Sequence, residues 1–170
     1  VFINGLNATI SNSDFSMNRV NVSNFARGGS IYIAGDDSKV FNTTFELCRA
    51  YVGGVLYLEG DNGIIDGSTF RQSSALFNGG AIYVAGLNTT ISYSNFTMNS
   101  ANGTGAHGGA IDINGNDTSI YKCIFERCSA YDGGTLYIYG EGTVIEDMTF
   151  KYCSVIHDGG TIYINYISFF

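Results

Sequence analysis

A Gly-Gly pair returns along this chain at Gly28-Gly29, Gly53-Gly54, Gly79-Gly80, Gly108-Gly109, Gly133-Gly134 and Gly159-Gly160, in steps of 25, 26, 29, 25 and 26 residues. A short apolar stretch follows each pair: Ile31-Tyr32-Ile33, Leu56-Tyr57-Leu58, Ile82-Tyr83-Val84, Ile111-Asp112-Ile113, Leu136-Tyr137-Ile138 and Ile162-Tyr163-Ile164. A second marker, phenylalanine, recurs at Phe15, Phe45, Phe70, Phe96, Phe125 and Phe150. Above this period lies a longer one, because residues 28 to 80 match residues 108 to 160 at an offset of 80, three short repeats. A period in this range marks an architecture in which each repeat stacks on the next.

The apolar stretches alternate, and their β-branched and aromatic content suits strands with one buried face. A repeat of two or three such strands, with no helical periodicity, cannot bury its inner face alone, so the coils must stack into ladders. Four inward columns follow. Ile31, Leu56, Ile82, Ile111, Leu136 and Ile162 form one, and Ile33, Leu58, Val84, Ile113, Ile138 and Ile164 the second. Ile10, Val40, Ile65, Ile91, Ile120 and Ile145 form the third, and the phenylalanines the fourth. Thr43, Ser68, Ser94, Cys123 and Met148 also face inward, yet each stands three residues after the third column. A period of two places such positions on opposite faces, so the chain must bend between them. Gly5, Gly35, Gly60, Gly86, Gly115 and Gly140 close the first strand of each coil, where a turn of positive φ is expected. The expected fold is all-β: one right-handed, single-stranded parallel β-helix of about six coils of 25 to 29 residues, spanning 1–170.

The alternation of Gly-Gly-Ala-Ile, as at Gly79 to Ile82 and Gly108 to Ile111, with Phe-x-x-Asn, at Phe15 to Asn18 and Phe96 to Asn99, resembles the repeats of chlamydial polymorphic outer-membrane proteins. Similar repeats occur in adhesin-like surface proteins of archaea and protists. The resemblance covers all but the last five residues, and departs from the pattern where Cys48, Ser73, Cys128 and Cys153 replace the asparagine. It implies a pectin-lyase-like β-helix serving as a surface adhesin or structural stalk.

With 8 basic against 15 acidic residues, the chain lacks the clustered cations that phosphate backbones require, which excludes nucleic acid. No apolar run reaches the 18 residues of a transmembrane helix. No signal peptide precedes Val1, so the chain is expected to be part of something longer. Parallel β-helices also carry polysaccharide lyases and hydrolases, whose sites need converging carboxylates on neighbouring coils. The central outward positions after Gly-Gly hold Tyr32, Tyr57, Tyr83, Asp112, Tyr137 and Tyr163, so Asp112 stands alone among tyrosines. Asp14, Asp66, Asn95 and Asp147, on the strand before Phe, do not occupy successive coils. No catalytic residue, metal ligand or cofactor site is therefore assigned.

His107 and His157 precede Gly-Gly pairs two coils apart, roughly 10 Å at the spacing of hydrogen-bonded strands, too far for one metal ion. They are expected to be surface turn residues. The acidic turns Asp36-Asp37, Asp61-Asn62 and Asn116-Asp117 are expected to be solvated, with calcium as the alternative. Cys128 and Cys153 share a position on adjacent coils, about 4.8 Å apart, within disulfide reach although in-register side chains meet the dihedral requirement poorly. Cys48, beside Asn18 and Ser73, is expected to be a buried free thiol. Tyr32, Tyr57, Tyr83, Tyr137 and Tyr163 form an outward strip, read either as an interface for sugars or proteins or as stacking that stabilises the sheet. Seven Asn-x-Ser/Thr sequons, at Asn7, Asn21, Asn42, Asn88, Asn95, Asn102 and Asn116, fall on turns or outward positions where a secreted protein carries glycans.

Val1-Phe2-Ile3 aligns with Ile82-Tyr83-Val84, and Ile167, Phe169 and Phe170 follow the last repeat, so neither end shows a polar cap. Phe169 and Phe170 are expected to lie under a neighbouring coil or subunit. The functional expectation is an extracellular structural or adhesive module, a stalk or filament subunit at the cell surface. Its expected partners are further coils of the same chain, copies of itself end to end, and cell-surface glycans or proteins. The alternative is a carbohydrate-active β-helix enzyme or polysaccharide-binding domain.

Overall fold

The structure, a computed structural model, describes residues 1–20 and 26–165. Asn21, Phe169 and Phe170 lie outside the described residues. Among the described residues the chain winds as a parallel β-solenoid of about six coils, whose strands form four parallel sheets of seven, six, six and five strands. In the coil that begins at Gly79 the strands are Ile82–Val84 in sheet A, Thr90–Ser92 in sheet B, Asn95–Thr97 in sheet C and Ser100–Ala101 in sheet D. The apolar pattern shows only three of these. The fourth is two residues long, too short for alternation to register.

Each strand pairs in register with its equivalents one coil away, so Ile82 lies between Leu56 and Ile111, and Phe96 between Phe70 and Phe125. The expected inward columns are therefore real ladders of like residues. Their members from Ile31 to Ile138 are buried, while Ile3, Phe15, Phe150 and Ile162 in the outermost coils are only partly covered. The phenylalanine column from Phe15 to Phe150 stacks face on face, with ring planes no more than 16° apart. Burying one such side chain is worth roughly 1.5–3 kcal/mol, and an offset stack adds about 0.5–1.5 kcal/mol.

The bend between sheets B and C is made by one residue in the left-handed region: Asn12, Asn42, Gly67, Tyr93, Lys122 or Asp147, according to the coil. It turns the next residue inward, as the spacing requires, and Val40 and Thr43 are both buried. There the hydroxyl donates to the carbonyl two residues back, from Thr43 to Phe41 at 2.9 Å, Ser68 to Asp66 at 3.1 Å and Ser94 to Ser92 at 2.7 Å. A second left-handed bend, at Met17, Leu47, Gln72, Met98, Arg127 and Tyr152, separates sheets C and D. Such backbone is costly for bulky side chains. The ladder compensates, because the bent residue still donates its amide to the next coil, as from Leu47 to Arg71 at 3.0 Å and Met98 to Glu126 at 2.8 Å.

The glycines that close sheet A strands do not hold positive φ, contrary to expectation. The left-handed residue falls two positions later, at Asp37, Asn62, Asn88, Asp117 and Gly142. Glycine is needed at Gly86 for another reason: a Cβ there would overlap the carbonyl of Gly60 on the coil beneath. The Gly-Gly pair combines both demands. Gly79 has φ +63°, and a Cβ on Gly80 would collide with the backbone of Gly109 and Ser100.

Candidate functional site

Coils differ mainly in the connection from sheet D back to the Gly-Gly pair. The 29-residue coil places its extra residues between Asn102 and His107, where Ala106 donates to the Gly103 carbonyl at 3.1 Å. Ala101, Ala106 and Ala130 pack beneath this loop as a small cluster of their own. The loop carries His107 over the outer face of sheet A, where its ring stacks on Tyr137 with centroids 4.0 Å apart and planes within 8°. Eighty residues earlier, Arg27 occupies the equivalent position, its guanidinium 4.8 Å from the Tyr57 ring centroid.

These covers change the tyrosine strip. Tyr57 and Tyr137 are buried and Tyr32, Tyr83 and Tyr163 half-buried, so the phenols form an aromatic layer rather than the open outward face expected. Tyr57 stacks on Tyr83 and Tyr137 on Tyr163, each at 4.9 Å, as the packing alternative requires. The Tyr32 hydroxyl donates to Glu59 and accepts from Arg27 at 3.2 Å. Burial holds the Tyr83 phenol well above its usual range.

Asp112 is the sharper departure. Expected to point outward, it is fully enclosed beside His107 and between Tyr83 and Tyr137 in the sheet. Asn114 donates to its Oδ1 at 2.7 Å, while its Oδ2 has no hydrogen-bond partner. Burial pushes its carboxyl up to about 8, with the Asn114 hydrogen bond opposing. The His107 Nδ1 lies 3.9 Å from that Oδ2, and burial lowers the imidazole below its usual value against the pull of Asp132.

His107 and His157 are not independent surface residues. Asp132, from the coil between them, has Oδ2 3.8 Å from His107 Nε2 and Oδ1 3.0 Å from His157 Nδ1. Asp158 adds Oδ2 at 3.1 Å from the same His157 nitrogen, and its backbone amide donates to Asp132 Oδ1 at 3.0 Å. Donor atoms of Asp132, His157 and Asp158 all lie within 4.8 Å of one another. The Asp132 carboxylate stands between the two histidines. The bridge pairing His107 with Asp132 puts it there.

The acidic turns are engaged otherwise. Asp36 Oδ1 accepts the Asp61 amide at 2.9 Å, Asp61 Oδ1 the Leu87 amide at 2.8 Å, and Asn116 Oδ1 the Glu141 amide at 2.9 Å. These oxygens tie coil to coil. Cys48, Cys123, Cys128 and Cys153 are free thiols, and Cys48 is buried as expected, accepting from Ser30 at 2.9 Å. Cys128 and Cys153 precede the paired Ser129 and Ser154 on adjacent coils, and their mutual interaction lowers Cys153 to about 6 and raises Cys128 well above its usual value. The six described sequon asparagines, Asn7, Asn42, Asn88, Asn95, Asn102 and Asn116, are all exposed.

Two shallow grooves flank the loop along sheet D. One, of about 220 Å³, runs over Arg19, Arg49, Tyr51, Ser74 and Leu76, and the other, of about 280 Å³, over Ser129, Tyr131, Ser154 and Ile156. Tyr51, Ser74 and Leu76 of the first correspond to Tyr131, Ser154 and Ile156 of the second at the 80-residue offset. No protein-family model, no curated protein and no solved structure matches the chain.

Proposed function

We propose that this chain is an extracellular structural or adhesive module, a stretch of a cell-surface stalk or filament. The observation that carries the reading is the use of outward polar groups to join coils. The Asp36, Asp61 and Asn116 side chains each accept an amide one coil away, and Asn62 and Asn88 donate to Asp37 and Asn62 at 3.1 and 2.9 Å. Chemistry spent on register builds a stiff rod. The resemblance of its repeats to polymorphic outer-membrane and adhesin-like proteins points the same way, and six exposed sequons suit a secreted surface.

The adhesive part of the reading rests on the paired grooves, which repeat with the three-coil period and so offer two like contacts along one face. Each falls below the range of enclosed small-molecule sites, about 300–1,000 Å³, which favours an extended surface contact over a catalytic pocket. For the rival reading, a carbohydrate-active enzyme, Asp112 is a poor acid because no solvent reaches it.

The test is immunogold electron microscopy on intact source cells, with antibodies against this segment. Label on stalks or filaments outside unbroken cells is the expected result. Label that appears only after the cells are opened would overturn the proposal.

A further inference from the structure

We propose that Asp132, His157 and Asp158 form a binding site for a divalent transition-metal ion of the zinc class, with His107 and Asp112 behind them as the pair that orients Asp132. The donor set is one imidazole and two carboxylates, whose nitrogen suits zinc where calcium and magnesium take oxygen alone. Around His157 Nδ1, Asp132 Oδ1 at 3.0 Å and Asp158 Oδ2 at 3.1 Å approach the edge of a tetrahedron with bonds of about 2.0–2.1 Å. The second Asp132 oxygen faces His107 Nε2 at 3.8 Å, which sets His107 behind the donors, outside the group that lies within 4.8 Å.

Asp112 supplies the independent observation. A buried carboxylate oxygen without a partner is expensive, and this one faces the ring nitrogen of His107 that points away from the cluster. A ligating carboxylate held from behind by its own polar partners, as Asp132 is by His107 and Asp112, is the usual outer shell of a protein metal site. On the other side the cluster opens to water through His157 and Asp158, whose side chains are more than half exposed, which gives the ion a way in.

The chain also holds its own control. At the 80-residue offset, positions 107, 112, 132, 157 and 158 correspond to Arg27, Tyr32, Val52, Phe77 and Asn78. The flanking glycines, aliphatic columns and Ala26/Ala106 are kept in both copies, while these five positions change together from residues unsuited to a metal into His, Asp, Asp, His and Asp. Sheet packing demands no such change, because the first copy folds without it. An ion there joins the turns of two successive coils.

The experiment is calorimetric titration of the purified chain with zinc chloride, alongside thermal melts. Saturable uptake of one ion and a raised Tm are expected. Asp132→Val and His157→Phe, which restore residues already accommodated in the first copy, should weaken binding at least about 100-fold while the metal-free melt stays cooperative. Asp112→Asn should weaken it about ten- to 100-fold at unchanged stoichiometry, the usual effect of losing an outer-shell partner. Absence of saturable uptake, or unchanged affinity in the cooperatively melting Asp132→Val or His157→Phe protein, would overturn the proposal. If either variant fails to melt cooperatively, Asp158→Asn, at an exposed position, decides the matter in the same way.

Discussion

The rings of Phe70 and Phe96 stack with centroids 4.7 Å apart and planes within 4°, one coil above the other in the solenoid core. Both are completely buried, and each also meets the next phenylalanine in the column. Phe96→Ala therefore removes two stacks and leaves a cavity in the middle of the ladder. A loss of about 3–5 kcal/mol is expected. Chemical denaturation of the variant beside the parent chain measures it, and a loss below about 1 kcal/mol would mean that the column collapses to fill the gap.

Two glycines at equivalent places three coils apart should behave oppositely. A Cβ at Gly86 would overlap the Gly60 carbonyl, whereas at Gly5 nothing lies within 4 Å. Gly86→Ala should cost about 3 kcal/mol or more, the upper end of overpacking effects, and Gly5→Ala should stay within about 0.5 kcal/mol. Comparing their melting temperatures separates this steric account from a general preference for glycine in turns. Equal shifts would contradict it.

Cys153 should be the reactive thiol. Its hydrogen bond with Cys128 lowers it to about 6, so at pH 7 it is mostly thiolate, while Cys48, Cys123 and Cys128 are closed to solvent. Alkylation by iodoacetamide, followed by peptide mass spectrometry, should mark Cys153 first. Because the thiolate is the nucleophile, the rate should fall about tenfold from pH 7 to pH 5 as the sulfur gains its proton. Even labelling of all four cysteines, Cys48 in the second coil included, would show that the whole ladder opens.

The exposed sequons should carry glycans in material from a glycosylating host. Asn95 and Asn102 lie on well-paired coils at exposed positions, while Asn88 and Asn116 are exposed residues whose side-chain amides also bond to a neighbouring coil. Intact mass before and after enzymatic deglycosylation is the measurement, and several occupied sites are expected. A mass equal to that of the bare chain would rule the modification out.

The sequence alone determined the coil. The Gly-Gly spacing, the alternating apolar triplets and the phenylalanine marker dictate stacking, because no single repeat can bury its inner face, and identical repeats stack in identical register. Even the bend before Thr43 and Ser68 was legible, from a spacing that a straight strand forbids. What lies outside the core was decided by tertiary structure. Alternation says that Asp112 and the tyrosines point away from the core, and they do, but the loop that ends at His107 folds back over them and turns an outward face into an interior. The Asp132 carboxylate between two histidines was hidden for a related reason: residues 25 to 50 positions apart meet only when the coils are laid on one another, and the oxygens then choose partners by distance. The glycines show the same division. Their recurrence is a property of the sequence, whereas the carbonyl that requires each one belongs to the neighbouring coil.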